Sequence, residues 1–165
     1  MANTYEESTD LLRGEELLLY VKSGEKYIPI AFASSHTLSL SADTIDTTNK
    51  FSGQWKTVIA GQIGWQVSAE SLVSRTTGHM SYQTLAKLMA KRQPIEVVMA
   101  EPKATPGELD DEFAMDETKK WNAGTAYITS LDKKADKGAI CSSSITLQGT
   151  GALKDSTGVA LDEAV

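Results

Sequence analysis

The sequence predicts a mainly β protein, an antiparallel β-sandwich or partial barrel with one flanking α-helix. Apolar and polar residues alternate in several short stretches, which is the period-two pattern of half-buried strands. One stretch alone repeats its apolar residues at helical spacing. With 165 residues, 41% of them hydrophobic, the chain has the length and composition of a single domain, 1–165, with its own core.

The first two strands are predicted at residues 16–22 and 27–33, joined by a turn around Gly24. Pro29 cannot donate a backbone hydrogen bond, so we expect the second strand at a sheet edge or a bulge. Residues 1–15 contain few apolar side chains, and we expect them to form an N-terminal arm that becomes ordered only on contact.

The next two strands are predicted at residues 36–43 and 63–70, where apolar residues recur at every second position. The residues expected to face the core are Leu38, Leu40, Ala42, Ile63, Trp65, Val67 and Ala69. Between the strands the sequence predicts a polar loop over residues 43–62, far longer than an ordinary hairpin connection. A loop of that length is either disordered or has a partner.

The helix is predicted from Ser81, a residue type that favours the N-cap, to Arg92, shortly before Pro94. Its core-facing residues are expected to be Tyr82, Leu85, Leu88 and Met89. The remaining segments are predicted as a strand at 95–100, an acidic loop at 101–120, strands at 121–131 and 139–149, and a C-terminal tail at 150–165.

Charge and composition exclude several classes of function. The net charge of −6 and the pI near 4.9 argue against a nucleic-acid-binding surface, which needs clustered Lys and Arg. One cysteine and two histidines exclude an intrachain disulfide and the common structural zinc sets. The N-terminus lacks the pattern of a signal peptide, and no apolar run has the length of a membrane span. We therefore expect a soluble product with no membrane contact.

No constellation of residues favours catalysis. His36, His79 and Cys141 could meet as a thiol–imidazole site, but a cysteine in a serine-rich strand is more often a small packing residue. The acidic residues of the 101–120 loop lack the spacing and the glycine of a calcium loop, and a solvated charge run is favoured; they are Asp110, Asp111, Glu112, Asp116 and Glu117. The sequence predicts no catalytic, cofactor or metal site, and hence no enzyme.

The tryptophans carry different expectations. Trp65 is in phase with the apolar face of its strand and is expected in the core. Trp55 lies in the polar loop close to Phe51, which suits a contact hot spot. The alternative is a loop that folds back and buries Trp55 on its own sheet.

Several short elements, taken in order, resemble the major tail tube proteins of long-tailed bacteriophages. They are LSLS at 38–41, IDTT at 45–48, GQWK at 53–56, WQVS at 65–68 and GTGAL at 149–153. The resemblance spans most of residues 16–153, and the acidic segment after Pro102 departs from it.

The resemblance implies a tail-tube-like fold whose sheet is completed across subunits in a ring. It implies a structural protein that forms stacked hexameric rings of a tail tube, the conduit for DNA ejection into the host. The expected partners are the chain itself, the tape measure protein, and the tail terminator and initiator proteins, while DNA passes through the lumen without specific binding. The expected location is the virion, after synthesis in the bacterial host cytoplasm.

In such proteins the long loop is a main contact between rings. The expected contact residues are Ile45, Asp46, Thr47, Lys50, Phe51, Trp55 and Lys56. The polar side of the opening strands is the candidate lumen face, formed by Ser39, Ser41, Gln66, Ser68 and Glu70. Two alternatives remain: the tube of a phage-derived or type VI-like injection device, and a monomeric β-sandwich module that binds a partner through the Phe51–Trp55 loop.

Overall fold

The computed structural model describes residues 11–30, 32–75, 80–103 and 115–161. These residues form one antiparallel sheet of seven strands in the order β2-β1-β5-β6-β7-β4-β3, with one α-helix, so the predicted mainly β fold is confirmed. The strands are β1 (Leu18–Ser23), β2 (Lys26–Pro29), β3 (Ala33–Asp46), β4 (Val58–Leu72), β5 (Ile95–Ala100), β6 (Asn122–Lys134) and β7 (Ser142–Lys154), and the helix is α1 (Tyr82–Ala90). A single 3₁₀ turn, Gly14–Glu16, precedes β1.

The sheet curls around its own core. Leu19 and Val21 of β1 belong to the same buried cluster as Trp65, Val67 and Leu147, although β1 and β4 stand apart in the strand order. The part of the sheet around β1 and the part around β4 therefore each bury one face in a shared interior, as in a partial barrel. The end strands β2 and β3 are not paired with each other, so the barrel is open.

Pro29 closes β2, and β2 is an edge strand, as predicted. The predicted strand over 27–33 is interrupted, because Ile30 bridges to Met80 and β3 begins at Ala33. The Ile30 amide still donates to the Leu19 carbonyl at 3.0 Å, so the ladder with β1 continues past Pro29. The position without an N–H group therefore faces the open edge of the sheet, where proline is tolerated.

The helix begins after Ser81 and packs on β6. Leu85 is fully buried and Leu88 packs against the core, as expected from the helical spacing. Met89 was predicted to face the core but is 38% exposed. Met89 lies in the last turn of α1, which ends at Ala90. Tyr82 contacts the Lys133 ammonium, which lies 5.4 Å from the ring centroid.

Trp65 is 3% exposed, which confirms its predicted place in the core. Its ring lies directly against the backbone of Gly124 and Gly149, where a Cβ atom would overlap ring atoms. The indole N–H donates a hydrogen bond of 3.0 Å to the carbonyl of Gly151, which has a φ of +74°. The GTGAL motif thus supplies a gap for the ring, an acceptor for its N–H group, and the buried Leu153.

The terminal segments differ from their predicted bounds. β7 continues to Lys154, into the predicted 150–165 tail, and residues 155–161 turn back so that the Leu161 amide bonds the Leu153 carbonyl at 2.9 Å. Most of the predicted N-terminal arm (1–10), most of the acidic loop (104–114) and the last four residues (162–165) lie outside the described residues.

Candidate assembly interface

The β3–β4 hairpin has longer strands and a shorter loop than predicted. The two strands pair from Ala33↔Ser71 to Asp46↔Val58, so the connection comprises residues 47–57 rather than 43–62. The sequence obscured the strand ends because the register shifts between Ala42 and Thr44. Such a bulge breaks the strict alternation from which strand ends are read.

The outer half of this hairpin leaves the sheet. Within the described chain β4 pairs with β7 only from Gln66 to Leu72, so residues 40–65, called the distal hairpin below, are paired only with each other. Leu40 and Ile63 were predicted to face the core, but they are 52% and 67% exposed. Both lie on the side of the ribbon that continues the core face, and beyond Trp65 the described part of the chain leaves that side largely uncovered.

The bulge places apolar side chains on both sides of the distal hairpin. Ala42 pairs with Ile63, but after the register shift Ile45 pairs with Ile59. By the alternation along β3, Ile45 points to the side opposite Leu40 and Ala42. Ile45 and Ile59 are each half exposed. A two-stranded ribbon that is apolar on both sides needs a separate covering surface on each side.

The tip of the hairpin is held by its own hydrogen bonds. The Thr47 amide donates to the Thr57 carbonyl at 2.9 Å, and the Thr57 amide donates to Thr48 Oγ1 at 3.1 Å. The Phe51 amide donates to Asn49 Oδ1 at 2.8 Å. The loop is therefore ordered within the subunit, a third possibility beside the disorder or external partner that its length suggested.

Two aromatic side chains project from this ordered tip. Phe51 is 99% exposed and Trp55 is 83% exposed. The alternative in which the loop folds back and buries Trp55 on its own sheet is thus wrong. Exposed aromatic side chains carried by a hydrogen-bonded backbone are typical of contact hot spots, since large aromatic residues supply much of the binding energy at interfaces.

Asp46 anchors the base of the tip. Its carboxylate accepts the Thr48 amide at 2.9 Å and lies 3.4 Å from the Lys56 ammonium. The hydrogen bonds from Thr48, followed by that from Lys56, hold the pKa of Asp46 below its ordinary value. The carboxylate is therefore charged across the neutral pH range. Lys50, also named as a contact residue, is exposed in the turn next to Phe51.

The five candidate lumen residues lie on one side of the sheet. Trp65, Val67 and Ala69 point into the core, so the intervening residues of β4 point outward. Ser39 pairs with Gln66, and Ser41 lies two residues further along the same side of β3. The outward residues are Ser39, Ser41, Gln66, Ser68 and Glu70, all at least partly exposed.

This polar face continues onto two strands that the sequence did not assign to it. Gln66 pairs with Gln148, which pairs with Tyr127, and Ser68 pairs with Thr146. The extension was missed because single strands show which residues alternate, whereas the order β6-β7-β4-β3 shows which strands share a face. The result is a broad surface of Ser, Thr and Gln with Glu70 and Asp132.

Two edges of this four-stranded region are open. β3 ends the sheet. β5 pairs with β6 only up to Ala126, so residues 127–134 of β6 have no strand on that side within the described chain. Unpaired edges of this length are templates for pairing with another chain.

The thiol–imidazole site is not formed by its two described members. His36 pairs with Ala69, whereas the Cys141 carbonyl accepts the Val73 amide, so the two residues flank β4 at different heights, roughly 16 Å apart from strand spacings. Burial lowers the pKa of His36, which favours the neutral ring. His79 lies outside the described residues.

The acidic run is divided by the limits of the described chain. Asp110, Asp111 and Glu112 lie outside the described residues, and Asp116 accepts hydrogen bonds from the Thr118 amide and hydroxyl. Within the described ranges, no group of three or more His, Cys, Asp or Glu residues could hold a metal ion. No described helix is long and apolar enough to cross a membrane.

The fold is similar to that of solved tails and injection tubes. A chain in the virion of a native gene transfer agent particle matches with a TM-score of 0.67 at 17% identity, covering 88% of this chain and 98% of that chain. The SPP1 tail tube matches at 0.66 and 10% identity, covering 88% and 78%. The sheath–tube complex of the extracellular contractile injection system PVC matches at 0.60 and 16% identity, covering 96% and 100%. At these identities the similarity defines a class of fold, that of tail and tube subunits.

The sequence adds the family. The model of the family described as phage tail tube protein matches residues 11–155, which is most of the chain. A search of curated protein sequences gives no match. The chain therefore belongs to the phage tail tube protein family, whose members are structural components of phage tails, and the resemblance stated from the short motifs is confirmed.

Proposed function

We propose that the chain assembles into hexameric rings that stack into a phage tail tube, through which DNA is ejected into the host. The observation that carries the proposal is the distal hairpin. It leaves the sheet, exposes Phe51 and Trp55 almost fully, and is apolar on both sides. Exposed apolar surface of this extent marks a protein interface.

Ring closure is supported by the two open edges of the polar region. If the edge of β3 in one subunit pairs with residues 127–134 of β6 in the next, every subunit uses one edge of each kind. Such a heterologous contact forms a ring when its rotation closes. Closure removes edges that would otherwise promote aggregation, and it places the polar faces of all subunits on one continuous wall.

The polar face suits the wall of a DNA channel. It presents hydroxyl and amide groups with the carboxylates of Glu70 and Asp132, and its described cations are Lys134, 3.2 Å from Asp136, and Lys154 at the far end of β7. Phosphate groups bind to proteins chiefly through Lys and Arg. A wall with few of them lets DNA slide without being held.

The same proposal covers location and partners. The protein acts in the virion tail after synthesis in the host cytoplasm, contacts the tape measure protein inside the tube, and meets terminator and initiator proteins at the tube ends. Its role is structural, with no catalysis. A tube of a phage-derived or type VI-like injection device is the same assembly with a different cargo.

The test is the assembly state of purified protein. We expect rings with sixfold symmetry, and tubes, by negative-stain electron microscopy. Replacing Phe51 and Trp55 together by Ser should leave the melting temperature within about 2 °C, because both side chains are exposed and their removal creates no cavity. The double variant should form no tubes.

The control is Gln54→Ser, a change of an exposed polar side chain in the same loop, which should leave tube formation intact. A wild-type protein that stays strictly monomeric at high concentration in moderate salt would contradict the proposal and favour a monomeric binding module. Tubes of wild-type length from the double variant would show that the tip is not the contact.

A further inference from the structure

The hairpin tip needs a receiving surface on another subunit, and the hydrogen-bond register indicates where on the chain to look for it. Gln66 pairs with Gln148 and Leu72 pairs with Ser142, so β4 starts beside the end of β7. The tip therefore projects from the end of the sheet at which β7 ends and β6 begins. A subunit stacked along the strand direction would meet that tip with its opposite end.

Two exposed apolar side chains lie at that opposite end. Phe32 precedes β3 and is 60% exposed, and Ile140 precedes β7 and is 71% exposed. The Phe32 carbonyl accepts the Leu72 amide, and the Cys141 carbonyl accepts the Val73 amide. The backbones of Phe32 and Cys141 therefore lie on either side of the end of β4, roughly 10 Å apart by two strand spacings. Ile140 directly precedes Cys141, and the half-buried Val73 follows β4 between the two backbones.

The backbone at Phe32 is unusual for its residue type. Phe32 has a φ of +51°, in the left-handed region that bulky residues rarely adopt. The bond from Leu72 at 3.0 Å holds it there. A position with this conformation would suit Gly or Asn, yet the chain carries an exposed aromatic ring. Strained conformations that persist in a fold are concentrated at functional sites.

We infer that Phe32, Val73 and Ile140, called the basal patch below, receive the distal hairpin of a subunit in the adjacent ring. The inference rests on the proposed tube and names the surface that the hairpin contacts. Residues 40–65 are comparable in number with the roughly 20–30 residues that one side of a standard interface contributes. The hairpin is thus large enough to form one side of a stable contact with a second copy.

The placement of the two surfaces also explains open-ended growth. The tip and the basal patch lie at opposite ends of one sheet, so each stacking step covers one of each and leaves one of each exposed. A heterologous contact that does not close on itself produces a filament. The chain therefore carries both halves of its axial contact.

The test is the variant Phe32→Asn with Ile140→Ser. Asn adopts the left-handed region more readily than Phe, so the melting temperature should not fall, whereas the basal patch loses its apolar groups. We expect rings that fail to stack, with the concentration needed for tube growth raised at least about tenfold. Met89→Ser, which removes an exposed apolar side chain elsewhere, should leave tubes unchanged.

A mixing experiment identifies the pairing. The basal-patch variant retains a normal tip, and the Phe51→Ser/Trp55→Ser variant retains a normal basal patch. Rings of one variant, mixed with rings of the other, should form pairs of stacked rings, because one functional contact is available between them. They should not form long tubes. If the double variant does not fold, Ile140→Ser alone replaces it in this experiment, because Ile140 is not among the residues with a positive φ.

The outcomes separate the two ideas. Wild-type rings and tubes together with basal-patch variants that form tubes at the wild-type concentration would overturn this inference and leave the tube proposal standing. Mixed variants that give no ring pairs would show that the tip binds elsewhere. A wild-type protein that never assembles would overturn the tube itself and the receiving surface with it.

Discussion

Trp65 occupies a gap that two glycines leave open. A Cβ atom at Gly149 would overlap the indole ring, so Gly149→Ala forces the ring or the strand to move. Overpacking of this kind costs about 2–3 kcal/mol, which lowers the melting temperature of a chain of this size by roughly 5–10 °C. Thermal unfolding followed by circular dichroism measures the shift.

Gly64→Ala is the matched control for this change. Gly64 lies in the same strand as Trp65, on the opposite side, and a Cβ there would come no closer than 3.9 Å to Ser41 Oγ. We expect its stability to change by no more than about 0.5 kcal/mol. Equal melting temperatures for the two alanine variants would mean that the ring is not confined by Gly149.

Asp46 gives the hairpin tip a defined response to pH. Because hydrogen bonds from Thr48 hold the pKa of its carboxyl below the ordinary value of 3.8, the bonded state is present above that value and is lost as the pH falls through the lowered pKa. The Thr48 amide resonance should therefore titrate with a midpoint below 3.8 in an NMR pH series. Asp46→Asn should abolish that titration, and a midpoint above 3.8 would refute the assignment.

At the level of elements, the local sequence pattern was sufficient to predict the position of a strand that is covered along its whole length. β5 lies at the predicted residues 95–100 because its buried positions are all apolar. Pro29 predicted an edge strand because the missing N–H group acts locally. Leu85 followed from helical spacing alone.

The burial of a side chain was not predictable from the sequence where it depends on how far two distant strands pair. Leu40 and Leu38 have the same place in the alternation of β3, yet Leu38 packs against the core and Leu40 is half exposed. The difference arises because β7 pairs with β4 only as far as Gln66, which no local pattern of β3 reports. Val58 and Ile59 were placed in the loop for a related reason, since the bulge hides their pairing, although adjacent β-branched residues are a signal for a strand.

At the scale of the whole molecule, the separation of apolar and polar surfaces explains how one sheet serves two purposes. The inner side of the curled sheet forms the main core, and the outer side is polar where residues 66–72 of β4 pair with β7. On the outer side of β1, β5 and the start of β6, Tyr20, Val98 and Ala123 belong to a second buried cluster. Had that outer side been apolar, free subunits would expose a large adhesive surface before assembly. Exposed apolar side chains are instead concentrated in the distal hairpin, which a neighbouring ring would cover in the proposed tube.

The charge of the polar face should determine whether the tube retains DNA. We expect wild-type tubes not to retain a short DNA duplex, and tubes of the Gln66→Lys/Gln148→Lys variant to retain it at low salt, because each subunit adds two cations to the wall. The logarithm of the apparent affinity should fall linearly with the logarithm of the salt concentration, with a slope of about −0.9 per phosphate neutralised. Gln83→Lys, which adds charge on the exposed side of α1, is the control and should not retain DNA in the lumen. Co-sedimentation of labelled duplex with tubes over a salt series measures the effect, and equal retention by both variants would place the polar face outside the channel.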